Sequence, residues 1–142
     1  MMKIRVLLGF TNARRVTAFK KLLIREPDIE IVGETINNID LLLEAGSTHA
    51  NVVTIDLPMH GKESGICSHL LAEYPDVKIF AVSEEGNKIV MHETAMMRRE
   101  IYDILPGNLV DLIRWSMSSV GTGRDSTSKF SEVFIPKNEH KG

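Results

Sequence analysis

The sequence predicts a single α/β domain built on a doubly wound, five-stranded parallel sheet. Short apolar runs alternate with longer segments of helical periodicity as far as residue 118, and this alternation indicates strand–helix repeats. Right-handed crossovers between parallel strands place helices on both faces of such a sheet. The chain of 142 residues, 43% of them hydrophobic, is long enough for one such domain and its core.

The first half of the chain predicts three strands and two helices. Apolar runs typical of strands buried on both faces lie at Ile4–Leu8, Ile29–Val32 and Val52–Ile55. The first helix can be capped by Thr11 or Asn12 and ends at Pro27. The second helix follows Asn37 or Asn38. Its predicted apolar face comprises Ile39, Leu42 and Leu43.

The second half repeats the scheme with a less regular pattern. The predicted elements are a helix over Gly65–Tyr74, a strand over Val77–Val82, a helix over Lys88–Arg99 and a strand over Ile101–Leu105. Pro106 is then suited to the first turn of a last helix.

A change of composition marks the end of the domain. Beyond Ser118 the periodicity vanishes and Ser, Thr, Gly and Lys dominate, so residues 1–119 are predicted as the domain and residues 120–142 as a flexible tail or linker. Within the tail, Glu132–Ile135 has the pattern of an extra strand.

Charge, cysteine content and hydropathy exclude several function classes. A net charge of −2 and the absence of a Lys/Arg block argue against direct binding of nucleic acid. The lone Cys67 cannot form an internal disulfide, which indicates a reducing, cytoplasmic compartment. No apolar run approaches the ~18 residues that a membrane span needs.

The order and spacing of four segments resemble those of bacterial response-regulator receiver domains, over residues 3–117. The segments are Ile4–Leu8, Arg25–Glu34, Asn51–Leu57 and Tyr74–Ile79, with Ser83 following the last of them. The resemblance implies the flavodoxin-like (βα)5 receiver fold and a role in bacterial two-component signal transduction.

The resemblance assigns roles to three residues. Asp56 matches the phosphoacceptor that ends the third strand in the family. Ser83 matches the hydroxyl that ends the fourth strand and contacts the phosphoryl group. Tyr102 matches the aromatic residue that changes position with that hydroxyl, so Ser83 and Tyr102 are the switch equivalents.

Other positions depart from the family pattern. Phe10 and Thr11 stand where the family has the acidic pair that holds Mg²⁺, and Leu105 stands where it has a lysine. Because Mg²⁺ needs several oxygen ligands in octahedral geometry, its binding is expected to be absent or weak. Each lost electrostatic contact costs ~3–4 kcal/mol, so phosphorylation is expected to be slower by about 10⁴-fold or more.

The favoured hypothesis is therefore a pseudo-receiver that is not an enzyme and acts mainly through protein contacts. One alternative is a phosphorylatable receiver that uses Asp56, with a histidine kinase as partner and with His60 or Lys62 supplying positive charge. Another is a degenerate receiver from a pilus-localisation ATPase-type protein, because Val133–Lys137 resembles the strand that enters a deviant Walker loop. A third is a ligand binder or enzyme that shares the fold alone.

The resemblance also implies a docking surface. In the family, the fourth helix, the fifth strand and the last helix form one face used for dimerisation and partner binding. A homodimer or a complex with a protein partner is predicted through this face. Its candidate residues are Arg98, Arg99, Asp111 and Trp115.

Overall fold

The computed structural model of the protein describes residues 3–57, 65–84, 88–93, 97–102, 108–118 and 134–136. For residues 97–102, 118 and 134–136 it describes only the backbone. The strands are β1 (Ile4–Leu8), β2 (Ile29–Glu34), β3 (Val52–Asp56), β4 (Lys78–Val82), β5 (Lys88–Glu93), β6 (Met97–Tyr102) and β7 (Phe134–Pro136). The helices are α1 (Ala13–Ile24), α2 (Asn38–Ser47), α3 (Ile66–Glu73) and α4 (Asn108–Ser118).

The first four strands form the parallel part of the sheet, in the order β2-β1-β3-β4. Strand β1 pairs in parallel with both β2 and β3, and β3 pairs in parallel with β4. A crossover helix separates each strand from the next along the chain, as right-handed parallel connections require. This arrangement confirms the predicted α/β class and its flavodoxin-like sheet order.

The predicted helix over Lys88–Arg99 is wrong. Strand β5 runs antiparallel to β4, and β6 runs antiparallel to β5, so the segment is a hairpin in the plane of the sheet. The side chains of Ile89 and Met91 lie in one core cluster and that of Val90 lies in the other. Three consecutive apolar residues that alternate between two buried faces fit a strand, whereas a helix would turn at least one of them towards solvent.

The described sheet therefore has seven strands, in the order β2-β1-β3-β4-β5-β6-β7, and is not wholly parallel. Because two antiparallel pairings separate β6 from β4, β6 has the direction of the parallel strands. The predicted last strand over Ile101–Leu105 begins earlier, at Met97. Strand β7 lies in the predicted tail, overlaps the expected extra strand, and pairs antiparallel with β6.

Two hydrophobic clusters cover the two faces of the sheet. One joins α1 and α4 to the strands and contains Phe10, Phe19 and Trp115. The other joins α2 and α3 to the opposite face. Both clusters include residues of β5, so the hairpin belongs to the same core as the parallel strands.

Side-chain caps begin the first two helices, as predicted. The Asn12 side chain accepts a hydrogen bond from the Arg14 N–H at 2.7 Å, which satisfies one of the free donors of the first turn. The Asn37 side chain accepts one from the Asp40 N–H at 2.9 Å.

The predicted apolar face of α2 is wrong in two of its three residues. The helix buries Leu41 and Ala45, and it leaves Ile39 and Leu43 exposed. Leu42, the third predicted residue, is partly buried against the α2–α3 cluster. Because Leu41, Leu42 and Leu43 are consecutive, the sequence does not fix the rotation of the helix. Within the described ranges, no helix has the length and apolar character needed to cross a bilayer.

Candidate functional site

The candidate site lies at the carboxyl ends of β1, β3 and β4, where open α/β sheets bind ligands. Asp56 ends β3, and its side chain is 28% exposed. The chain leaving β1 passes close to β3, because the Gly9 N–H donates to the Thr54 carbonyl at 2.8 Å. A Cβ at Gly9 would lie 2.7 Å from Leu41 Cδ1 and 3.1 Å from the Thr54 carbonyl oxygen, so any larger residue there would force its neighbours to shift.

Thr11 holds one oxygen of the Asp56 carboxylate with two hydrogen bonds. Its backbone N–H donates to Oδ2 at 2.8 Å, and its hydroxyl donates to the same oxygen at 2.9 Å. Hydrogen bonds to an ionised acceptor are stronger than those between neutral groups. The residue in the second acidic-pair position therefore acts as a donor to Asp56.

Arg15 holds the other oxygen. Its Nη1 forms an ion pair with Asp56 Oδ1 at 3.4 Å, and the Arg15 side chain is 16% exposed. Its Nη2 donates to the carbonyls of Val82 at 3.3 Å and Ser83 at 3.0 Å. One guanidinium from the first turn of α1 thus connects the ends of β3 and β4.

Two aromatic rings support this guanidinium. The Arg15 Cζ lies 4.8 Å from the centre of the Phe10 ring and 5.7 Å from that of Phe19. The two rings stack on each other with their centres 4.8 Å apart, and Phe10 is fully buried. Cation–π contact and stacking are characteristic of arginine rather than lysine. The first acidic-pair position is therefore part of the core and part of the support of Arg15.

Ser83 contributes to the site through its backbone carbonyl. Its hydroxyl oxygen accepts a hydrogen bond from the Lys88 N–H at 3.1 Å, and its N–H donates to the Lys88 carbonyl at 2.9 Å. These bonds close the connection between β4 and β5. The structure thus brings Asp56, Phe10, Thr11 and Ser83 together, as the resemblance implies.

The second switch equivalent, Tyr102, lies on another strand. The backbone of Tyr102 pairs with Lys88 at the end of β6, separated from β4 by β5. Leu105, His60 and Lys62 lie outside the described residues.

The predicted docking face lacks one of its three predicted elements, the helix over Lys88–Arg99. Arg98 and Arg99 lie on strand β6 instead of a fourth helix. Trp115 is 8% exposed and packs in the core cluster of α1 and α4. Asp111 lies 4.0 Å from Arg114 on the same helix. Because residues 88–93 and 97–102 are strands, the face is not built from the three predicted elements.

Arg15 is the residue that the sequence analysis missed. It lies in the first turn of α1, which contains no acidic residue. A cation there is opposed by the positive end of the helix dipole, so it gains most from a carboxylate partner. Basic residues in this turn were a signal that a carboxylate partner is needed, but they do not distinguish Arg15 from Arg14.

No protein-family model matches the chain, and no curated protein matches it. Solved structures do. RcsB of Salmonella typhimurium is 18% identical with a TM-score of 0.54, over 61% of this chain and 46% of that one. The isolated REC domain of RcsB from Salmonella enterica serovar Typhimurium, in the presence of phosphomimetic BeF3-, is 19% identical with a TM-score of 0.50, over 57% and 62%.

The chain has a receiver-type fold. The response regulator domain of Thermotoga maritima CheB is also similar, at 22% identity and a TM-score of 0.49, over 57% of this chain and 60% of that one. The chain covers less than two thirds of the length of each of these three structures. Within this receiver fold, the Asp56 cluster occupies the edge of the sheet at which Asp56 was expected to act.

Proposed function

We propose that this chain is a receiver-type signalling domain of the bacterial cytoplasm that acts by protein contact, with Asp56 held by Arg15 and Thr11 instead of being phosphorylated. The observation that carries the proposal is the engagement of both carboxylate oxygens. Oδ2 accepts two hydrogen bonds from Thr11, and Oδ1 pairs with the Arg15 guanidinium.

The chemistry of the site argues against a metal-dependent phosphoacceptor. A carboxylate that receives a phosphoryl group needs an accessible oxygen and a cation that neutralises the transferred group. Among the described residues, those beside Asp56 that could complete a Mg²⁺ site are a buried ring, a hydroxyl that donates to Asp56, and a guanidinium. These groups do not fit Mg²⁺, because the fixed positive charge of Arg15 repels a dication and Phe10 has no oxygen to offer.

The same arginine also fixes the ends of β3 and β4 relative to each other. Because Arg15 donates to the carbonyls of Val82 and Ser83 while it pairs with Asp56, the end of β4 is tied to the end of β3 without a covalent modification. A two-state equilibrium that already lies to one side needs no phosphoryl group to shift it. The domain would then present one constant surface to its protein partner.

The test is exposure to a phosphoryl analogue. Amide NMR spectra are recorded with Mg²⁺ and beryllofluoride, for the wild-type chain and for Asp56→Asn. We expect no saturable shift around Asp56 in either chain. Localised, saturable shifts that Asp56→Asn abolishes would overturn the proposal.

One observation favours a second function, metal-independent phosphorylation. The guanidinium 3.4 Å from Oδ1 could neutralise a phosphoryl group on Asp56, the role that the metal and the lysine have in the family. Intact mass is measured after incubation with acetyl phosphate and a chelator. A gain of one phosphoryl group that is lost in both Arg15→Gln and Asp56→Asn would favour this function over the first.

A further inference from the structure

The outer surface of α1 is basic. Three of its exposed residues, Arg14, Lys21 and Arg25, follow one another at helical spacing, and Arg25 is the residue that ends the helix. Ile24 lies beside them and is also exposed. Helix α1 contains no acidic residue, and among the described residues none of these three cations has an acidic partner in an ion pair. These four residues are the α1 basic face.

The outer surface of α2 is apolar and acidic. Ile39 and Leu43 of the helix are 73% and 65% exposed, and Ile36, which precedes the Asn37 cap, is 63% exposed. Asp40 and Glu44 lie along the same helix, which has no basic residue. These five residues are the α2 stripe. Contiguous exposed apolar side chains of this size are characteristic of interaction surfaces.

The two surfaces are complementary in charge, and they lie on opposite faces of the sheet beside the edge strand β2. Both surfaces include exposed apolar side chains: Ile24 on the α1 basic face, and three residues on the α2 stripe. Each copy of the chain offers both surfaces, so the same head-to-tail contact can be repeated from one copy to the next. Opposite charges around an apolar centre are the usual composition of a specific interface.

We propose that the partner of the α2 stripe is a second copy of this chain, docking through its α1 basic face. This self-association uses neither Asp56 nor Arg15. The proposed function is action by protein contact, and the self-association names the partner in that contact. The self-association rests on the proposed function only because it supplies this partner. Its failure would leave the beryllofluoride result unchanged, so the two can fail separately.

The experiment is sedimentation velocity of the full chain over a range of concentrations, in about 0.1 M and about 1 M NaCl, between which the Debye length falls from ~10 Å to ~3 Å. We expect concentration-dependent association that weakens at high salt. Lys21→Glu and Asp40→Lys should each abolish it. An equimolar mixture of these two variants should restore it, because each contact in the mixed species joins opposite charges.

Two further variants keep the test decisive. Asp40 also accepts a hydrogen bond from the Asn37 side chain at 3.0 Å, so Leu43→Lys, which leaves that pair intact, should abolish association as well. Asp76→Lys makes the same charge change at an exposed turn that contains no residue of either surface and should associate like the wild type. A wild-type chain that stays monomeric at all concentrations, association that survives Lys21→Glu and Leu43→Lys, or a mixture that fails to associate would each overturn the proposal.

Discussion

One sheet contains two regions that are connected differently. The parallel part comprises β2, β1, β3 and β4, and the hairpin comprises β5 and β6. In the parallel part each strand is followed by a helix whose apolar face covers the sheet. In the hairpin, β5 returns beside β4 without a helix, and it sends side chains into both core clusters. A strand can therefore replace a crossover helix if it buries apolar residues on both faces, and the sheet then grows sideways.

The largest effect is expected in the parallel part, at Phe10. Phe10→Ala should lower the free energy of unfolding by about 3–5 kcal/mol, because it leaves a cavity in the core and removes the ring stacked on Phe19. Urea denaturation measures the change. Ile24→Ala, at an exposed position of α1, is the control and should change stability by less than about 0.5 kcal/mol. Equal effects of the two substitutions would contradict the burial of Phe10.

A smaller loss is expected in the hairpin, at Ile89. Ile89→Ala should cost about 2–3 kcal/mol, because its side chain lies in the same cluster as Phe10. The urea dependence should keep its slope, since a shared core makes the hairpin and the parallel strands unfold together. A loss below about 0.5 kcal/mol, or a second transition, would show that the hairpin is a separate unit.

A third prediction concerns the ion pairs that join α4 to the loop between α1 and β2. Arg114 donates to Asp28 from Nε and Nη2, both at 2.8 Å, and it also pairs with Glu26. These hydrogen bonds from Arg114 lower the pKa of Asp28. Because the groups are partly exposed, Asp28→Asn should cost only about 1 kcal/mol at neutral pH.

The pH dependence of this cluster follows from the direction of the shift. With a folded pKa below the unfolded value, the Asp28 contribution is fully present above the unfolded pKa of about 3.9 and is lost as pH falls through the folded pKa. Thermal melts of the wild type should therefore lose stability below about pH 4, and Asp28→Asn should lose less. Parallel curves for the two chains would contradict a lowered pKa of Asp28.

The smallest effect tests the antiparallel register itself. Lys78 on β4 faces Glu93 on β5, with Nζ 3.5 Å from Oε1. Lys78→Glu should cost about 0.5 kcal/mol, and adding Glu93→Lys should recover most of it, because the two charges are exchanged across the same pair. A double-mutant cycle from urea denaturation measures the coupling. If the double variant is no more stable than the sum of the single changes predicts, the register is wrong.

The sequence predicted the parallel part well, because each strand there is an apolar run and the first two helices begin with recognisable caps at Asn12 and Asn37. It failed at Lys88–Arg99, where Ile89, Val90 and Met91 fit a strand or a short helix until the neighbouring strand is known. The rotation of α2 was not predictable either, since three consecutive leucines offer several apolar faces.

The candidate site was predicted in part. Asp56, Ser83, Phe10 and Thr11 follow from their places after strands, because parallel strands bring their carboxyl ends to one edge. Arg15 could not be placed there from spacing alone, since its contact with Asp56 depends on how α1 packs above Phe10 and Phe19. Tertiary packing, not local pattern, determines which side chain supplies the positive charge.

The tethering of that charge has a consequence for how the site responds to its surroundings. A metal ion at Asp56 would come and go with its concentration in solution, whereas the guanidinium of Arg15 is attached to the same chain. Its effective concentration at the carboxylate is set by the length and packing of one side chain, and dilution of the protein does not change it. Because arginine stays protonated at any pH the fold survives, the charge at this edge of the sheet is also constant in time.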